Sequence, residues 1–493
     1  MDEALYGLFR SVVPVRVLLF DPGVTGSATG RWQVAAFRHF GLSDWLKDLL
    51  MAGPLLGNSA TPLASTAPTA APPGLTSPFA RWIDQRLPII SGFRREYVDY
   101  PTPRNLTYLW NFGALATIAL AALILTGIFL SINYTATGAA AFASVETIDR
   151  QVSSGWIIRS THMAGVSLFF IALYVHTYRS LYYGSYKAPR ELLWLTGVLL
   201  LVMVMVTAFA GYVLPWGQMS YWGAVVVYNA VSTIPGFGHS LANWLQGGET
   251  LGDAALHRFY VLHFVMGFLI LGAVVLHVAA LHVTGSNNPL GIDVKGPQDT
   301  LPFHPYYTSK DGVGLCVFLV AFAVLVFYLP GWLTQADNYI EANPFSTPSD
   351  ITPEWYFAPF YAVLRAVPSK FGGLLLSAGS VLVLFAVPWL DTSPVRSARF
   401  RPIYRRLMVL LAVSFLLLLA AGLHRPQGIW LGLSRLATLY WFLHFLVLLP
   451  LLGSVEKTLP LPESIGRPVL PPRPSSSGTR IPAGAAAAPM EKN

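Results

Sequence analysis

The sequence predicts an all-α, polytopic membrane protein with eight transmembrane helices, arranged as a four-helix bundle followed by a C-terminal four-helix block. Three observations carry this. The chain has 493 residues, 54% of them hydrophobic and only 11% charged, under half the roughly 25% charged residues of soluble domains. Its apolar residues gather into eight runs, each near the roughly 20 residues that cross a bilayer core about 30 Å thick as helix. It has one cysteine, Cys316, which excludes a disulfide framework, a Cys-based zinc site, a cysteine-ligated iron–sulfur cluster and a C-x-x-C-H attachment motif.

The predicted spans are Leu109–Asn133, Trp156–Tyr182, Leu192–Leu214, Phe259–His282, Gly312–Leu329, Gly372–Leu390, Tyr404–Leu423 and Leu431–Leu452. The apolar stretch Trp216–Ile234 is interrupted by Gly217 and Gly223 and followed by Pro235. It fits a surface or re-entrant helix better than a ninth span. Residues 1–80 mix short apolar patches with a Pro/Ala/Ser/Thr stretch, Ser59–Pro78, and the tail after Pro460 is Pro/Ser/Ala-rich. Both flanks read as flexible. The domain reading is therefore an extension over 1–80, a first block over 81–300, a second over 301–457 and a tail over 458–493. The N-terminus lacks a signal-peptide pattern, and a start codon assigned too far upstream explains the extension equally well.

Loop charges give the orientation. No Lys or Arg occurs between Leu214 and Leu256, whereas Arg396, Arg399, Arg401, Arg405 and Arg406 crowd one loop. Arg81, Arg86, Arg94, Arg95 and Arg104 precede the first span, and Arg179, Lys187 and Arg190 follow the second. All these fall on the side of both termini, which are predicted to be cytoplasmic. The net charge of +8 is thus a property of cytoplasmic loops beside membrane lipids, and nucleic acid is not an expected partner.

The chemistry lies in the second and fourth spans. His162 and His176 are 14 residues apart, as are His263 and His277. Fourteen residues make about four turns, short by about 40°, so each pair shares a helix face and is separated by about 21 Å along the axis. The two spans run in the same direction, which brings His162 level with His263 near the outer side and His176 level with His277 near the inner side. Two stacked His–His pairs inside a bilayer suit non-covalent, bis-histidine ligation of two b-type haems. A single intramembrane histidine could equally be interhelical glue or a proton relay.

Gly113 and Gly127 on the first span and Gly197 and Gly211 on the third repeat the 14-residue spacing. Glycine lets neighbouring helices close around a flat macrocycle, with Gly113 and Gly197 at the inner pair and Gly127 and Gly211 at the outer. Taken alone, such glycines are ordinary small-residue packing. Arg159 and Arg179 lie three residues before His162 and after His176. That is one turn nearer each membrane face, where haem propionates would want a cation or an arginine would snorkel to headgroups.

From about Trp82 to about Lys457 the chain resembles cytochrome b, the membrane core of the ubiquinol–cytochrome c oxidoreductase (cytochrome bc) complex. The strings carrying the resemblance are Gly-Trp-x-x-Arg-x-x-His at Gly155–His162, Gly-Tyr-Val-Leu-Pro-Trp-Gly-Gln-Met at Gly211–Met219 and Thr-Gly-Ser-Asn-Asn-Pro-Leu-Gly at Thr284–Gly291. Phe-His-Pro-Tyr-Tyr at Phe303–Tyr307 and Pro-Glu-Trp-Tyr at Pro353–Tyr356 complete the set. Pro101–Leu106 resembles the proteobacterial branch. Oxygenic photosynthetic relatives split the protein into two chains and space one histidine pair by one residue more. A single chain with equal spacings therefore favours the respiratory type, which purple photosynthetic bacteria share.

The resemblance implies a quinol–cytochrome c oxidoreductase of the bacterial inner (plasma) membrane. Electrons would pass from ubiquinol through two haems to ubiquinone, coupled to proton translocation in a Q cycle. It also implies a Rieske iron–sulfur protein and a c-type cytochrome subunit as partners, in a homodimeric complex. The outer, quinol-oxidising site would use Glu354 as proton acceptor, with Tyr361 lining the same pocket. Read locally, Glu354 could instead be a helix-start carboxylate stabilised by the dipole. The inner, quinone-reducing site would use His282 and Asp311, with Ser286 and Lys310 nearby. His282, five residues past His277, points about 140° away from the ligand face and cannot serve the same iron. Asp350 stands where many relatives have histidine, and Phe345 replaces a common leucine. His39, His239, His257, His304, His424 and His444 are assigned no haem role. Two alternatives are a di-haem cytochrome b subunit of a membrane dehydrogenase or hydrogenase, which would lack the second block with Pro-Glu-Trp-Tyr, and a transporter with histidine relays.

Overall fold

A bilayer leaves backbone polar groups no water to bond, so apolar runs of this length cross it as helices that satisfy themselves internally. The structure, a computed structural model, describes residues 77–466. Of the flexible flanks expected over 1–80 and 458–493, residues 1–76 and 467–493 lie outside the described residues. Among the described residues eight helices are long and apolar enough to span a membrane, one for each predicted run, with starts shifted by up to six residues.

Helix α1 (Pro78–Arg86) starts at Ser77, whose hydroxyl accepts from the Ala80 N–H at 3.4 Å. The first span is α2 (Phe112–Asn133). A short helix α3 (Ala141–Arg150) leads to the second span, α4 (Gly155–Tyr182), and then to the third, α5 (Glu191–Val213). The interrupted apolar stretch forms a separate helix, α6 (Gln218–Val231), followed by α7 (Gly238–Gln246). The fourth span, α8 (Asp253–Thr284), begins six residues before the predicted start, because Asp253 and Arg258 lie at its polar mouth instead of ending it. The fifth is α9 (Tyr306–Ala323), extended by a π turn over Val324–Tyr328. A short helix α10 (Ala358–Arg365) precedes the last three spans. These are α11 (Lys370–Leu390), α12 (Pro402–Gly422) and α13 (Gly428–Leu443), the last extended by a π turn over His444–Leu448.

In the first block α2 packs along α4 and α5 along α8. In the second, α12 packs on α10 and α13. Large apolar side chains such as Leu125, Val275, Val317 and Leu382 remain exposed on the spans, the pattern of a lipid-facing surface. Four crossings separate the strands β1 (Pro101–Pro103) and β2 (Thr300–Pro302), so both lie at one end of the bundle. They pair antiparallel with Pro101 opposite Pro302. The boundary expected between residues 300 and 301 therefore falls inside a paired strand. At the other end Gln218 N–H donates to the Ile340 carbonyl at 2.9 Å and Ala342 N–H to that of Trp216 at 3.1 Å. This joins the start of α6 to the segment after α9.

Candidate functional site

Helix α4 carries His162 and His176, and α8 carries His263 and His277. The ring centres of His162 and His263 are 6.1 Å apart, and those of His176 and His277 are 6.4 Å apart. A metal bonded to both imidazoles at about 2 Å from each nitrogen would separate the ring centres by about 6 Å, so both gaps fit. Among the described residues no group of three or more His, Cys, Asp or Glu could hold a metal. A metal at either pair must therefore bring its remaining ligands with it, as a haem does.

Hydrogen bonds fix the imidazole tautomers. The Thr126 hydroxyl donates to the Ala122 carbonyl at 2.7 Å, so at 2.9 Å from His162 Nδ1 it accepts that N–H. The Thr196 hydroxyl donates to the Leu192 carbonyl and accepts from His277 Nδ1, both at 3.0 Å. His263 Nδ1 donates to the Thr207 carbonyl at 2.8 Å. In these three rings the free lone pair lies on Nε2, the arrangement an axial ligand needs. His176 differs: its Nδ1 is 3.3 Å from Arg179, whose guanidinium can only donate. Ligation by Nε2 there requires Arg179 to turn away. Arg179 has a buried, unpartnered Nε and lies 4.8 Å from the Trp110 ring centre.

The four glycines touch the imidazoles themselves. A Cβ on Gly113, Gly127 or Gly197 would lie 3.1–3.3 Å from Cε1 of His176, His162 or His277 respectively, and on Gly211 only 2.4 Å from Cε1 of His263. In this structure the space they leave is occupied by the edges of the imidazoles.

A cavity of about 270 Å³ joins His162, His263, Gly127, Gly211, Arg159 and Glu354. Arg159 forms an ion pair with Asp149 of α3, a partner that spacing did not suggest. The Pro-Glu-Trp-Tyr segment is pinned to α4: Trp355 Nε1 donates to Ser167 Oγ at 3.0 Å, and Tyr174 OH donates to the Tyr356 carbonyl at 2.5 Å. The Tyr356 ring stacks on Phe170 at 4.2 Å. Glu354 is 8% exposed, and burial pushes its carboxyl up to about 8. Its carboxylate has no backbone N–H partner among the described residues, and α10 starts only at Ala358, so it does not cap a helix. The buried, unpartnered Tyr212 hydroxyl belongs to a residue on the same cavity.

Tyr361 is not among the residues lining this cavity; its hydroxyl donates to the Ile351 carbonyl at 2.9 Å, and Arg365 lies over its ring at 4.0 Å. Asp350 forms a two-oxygen pair with Arg425, at 2.7 and 2.9 Å from Nε.

At the other end, His282 Nδ1 is 2.7 Å from Glu96 Oε2, and its ring stacks on Tyr100 at 4.6 Å. Asp311 belongs to a different group. With Asn111, Phe303 and Thr308 it lines a second cavity of about 230 Å³ that does not include His282. Lys310 turns away, donating to the Leu106 carbonyl at 2.6 Å, and Ser286 bonds the neighbouring Asn287 carbonyl at 2.9 Å. The four residues are thus at one end but not in one cavity. Glu96 and the threonine partners of the histidines are absent from the sequence reading. For the threonines a signal existed: Thr126 and Thr196 each immediately precede one of the spaced glycines.

Comparison with known proteins decides the family. A family model described as "Cytochrome b/b6/petB" matches residues 97–285, and one described as "Cytochrome b(C-terminal)/b6/petD" matches residues 341–442. The chain is 54% identical over 392 residues to a protein named "Cytochrome b" from Rickettsia bellii (strain RML369-C), covering 80% of this chain and 98% of the relative. The chain belongs to the cytochrome b family. A cytochrome b from Rhodospirillum rubrum is 52% identical, covering 81% of this chain and 98% of the relative. A solved chain titled "Hyperthermophilic respiratory Complex III" matches with a TM-score of 0.72 and 33% identity, covering 76% of this chain and 98% of that one. This cytochrome b is accordingly a multi-pass, haem-binding electron-transfer subunit of the complex III type, and the two imidazole pairs fit that group.

Proposed function

We propose that the protein is the core of a quinol–cytochrome c reductase that oxidises quinol at one membrane face and reduces quinone at the other. The observation that carries this is the cavity shared by His162, His263 and Glu354: a buried acid and a pair of metal-ready imidazoles open onto one space. When bound, two b-type haems supply one-electron acceptors at two depths of the bilayer. His162 with His263, and His176 with His277, hold them. Thr126, Thr196 and the Thr207 carbonyl keep Nε2 of three imidazoles deprotonated. Arg159 and Arg179 offer cations to propionates.

On this reading Glu354 takes a proton from quinol at the outer face. Oxidation of quinol releases two electrons and two protons. One electron goes to a partner with an iron–sulfur centre, a Rieske-type protein, since this chain's single cysteine, Cys316, cannot hold one. The other crosses the membrane, and a c-type cytochrome subunit continues the first route. At the inner face His282 and Asp311 supply protons to ubiquinone. Release outside and uptake inside make the cycle translocate protons across a bacterial inner membrane, with both termini cytoplasmic and the complex a homodimer. The test is reconstitution with the partner subunits, followed by titration with antimycin- and stigmatellin-type inhibitors. Ubiquinol–cytochrome c activity sensitive to both supports the reading. Reduced-minus-oxidised b bands without any quinol–cytochrome c activity would sink it in favour of a dehydrogenase subunit.

A further inference from the structure

The segment before the first span is held where it can serve the inner site. Phe303 N–H donates to the Tyr100 carbonyl and His304 N–H to that of Val98, both at 3.0 Å, and the ladder continues through Pro101 opposite Pro302. These bonds present Glu96, on a π turn over Arg94–Val98, to the last turn of α8. There its Oε2 is 2.7 Å from His282 Nδ1. The imidazole is fixed in two further directions, by the Tyr100 ring at 4.6 Å and the Tyr97 ring at 5.7 Å. Its Nε2 has no hydrogen-bond partner among the described residues.

From this geometry we infer that Glu96 is a positioning residue for quinone reduction: it orients His282, sets a carboxylate against Nδ1–H and leaves Nε2 for the quinone. The inference rests on the proposed use of His282 at the inner site. A carboxylate on Nδ1–H leaves Nε2 as the nitrogen that faces a ligand and stabilises the positive charge of an imidazolium. Reducing a quinone to a quinol takes two electrons and two protons, and the electrons arrive by the route proposed above. His282 gives one proton from Nε2 to a carbonyl oxygen and becomes neutral, with its Nδ1–H still on Glu96. The second proton comes from Asp311, the other inner-site donor of that reading, and solvent returns a proton to Nε2 of His282. The Glu96 side chain is 32% exposed, against 18% for His282, so it is the wetter of the two. Its other oxygen accepts from Arg95 Nε at 2.7 Å, a bond that holds the Glu96 carboxyl below its ordinary range and keeps it a charged acceptor. The other groups facing the pair are Tyr97 and Tyr100, with Arg190 reaching Tyr100 electrostatically from the loop before α5.

The experiment uses the assembled complex with the outer site blocked, and follows reoxidation of the pre-reduced haems by ubiquinone added at the inner site across about pH 6 to 9. Glu96→Gln, Glu96→Asp and His282→Gln are compared with the parent, together with ubiquinone affinity and melting temperature. Glu96→Gln is expected to move the midpoint of the pH profile by about one unit and to slow the reaction about tenfold at its alkaline end, with an unchanged melting temperature. Glu96→Asp is expected to restore most of both. If Glu96→Gln keeps the parent's pH profile while His282→Gln slows the reaction, the inference is overturned and the inner-site reading stands. If His282→Gln also leaves the reaction unchanged, both fall.

Discussion

Trp355 donates its indole N–H to Ser167 Oγ at 3.0 Å, and Ser167 sits on the helix that also carries His162 and His176. The segment holding the candidate proton acceptor is thereby indexed to the helix holding two of the four proposed metal ligands. The two cannot shift independently while this bond and the Phe170–Tyr356 stack hold.

Ser167→Ala tests that link. Ser167 is 3% exposed, so the change leaves the part-buried Trp355 indole N–H without its protein partner, at a cost of up to about 1–3 kcal/mol. The expected outcome is a lowered melting temperature and slower quinol oxidation with both haem bands retained. An unchanged turnover would show that the segment needs no such tie.

Gly211 and Gly127 make an internally controlled pair. A Cβ at Gly211 would lie 2.4 Å from Cε1 of His263, whose Nδ1 is held by Thr207, whereas at Gly127 the distance to His162 is 3.3 Å. Gly211→Ala should abolish or displace the outer haem band while leaving the inner one. Gly127→Ala should leave both bands with at most a small shift. Absorption spectra of the two variants check this.

Thr126→Val and Thr196→Val remove the hydroxyl that receives Nδ1–H of His162 and of His277. Loss of such an outer partner typically costs 10–100-fold in metal affinity. Each variant should weaken one haem only, read as haem content after stringent washing.

Glu354 makes stability depend on pH. Its folded carboxyl titrates at about 8 against an ordinary 4.5, so between those values the folded state keeps a proton that the unfolded chain has lost. Its contribution is most favourable below about 4.5 and falls as pH rises, by up to about 1.4 kcal/mol per pH unit, before levelling above about 8. Thermal unfolding at about pH 6 and about pH 9 should show the parent losing stability more steeply than Glu354→Gln. Equal slopes would contradict the burial-driven shift.

The spans and the histidine pairs were legible because both are local patterns: apolar runs of bilayer length, and equal spacing on two helices of the same direction. Helix α6 was legible from the glycines that interrupt its surroundings. What escaped depends on long-range meetings. Glu96 lies 186 residues from His282 and has no motif of its own. Asp149 pairs with Arg159 through a short helix, Ala141–Arg150, too brief and too polar to register as a span. The contacts of Tyr361, with the Ile351 carbonyl and the Arg365 guanidinium, likewise depend on chain packing that no local motif encodes. Asp350 looked like an unexplained departure until Arg425 appeared opposite it.

The most direct test of the two-pair account is the reduced-minus-oxidised spectrum of His176→Leu in the purified protein. One b-type band should disappear, the outer one should remain, and quinone reduction at the inner site should stop. Retention of both bands, or loss of the outer band in place of the inner, would contradict the assignment of His176 with His277 to a separate haem.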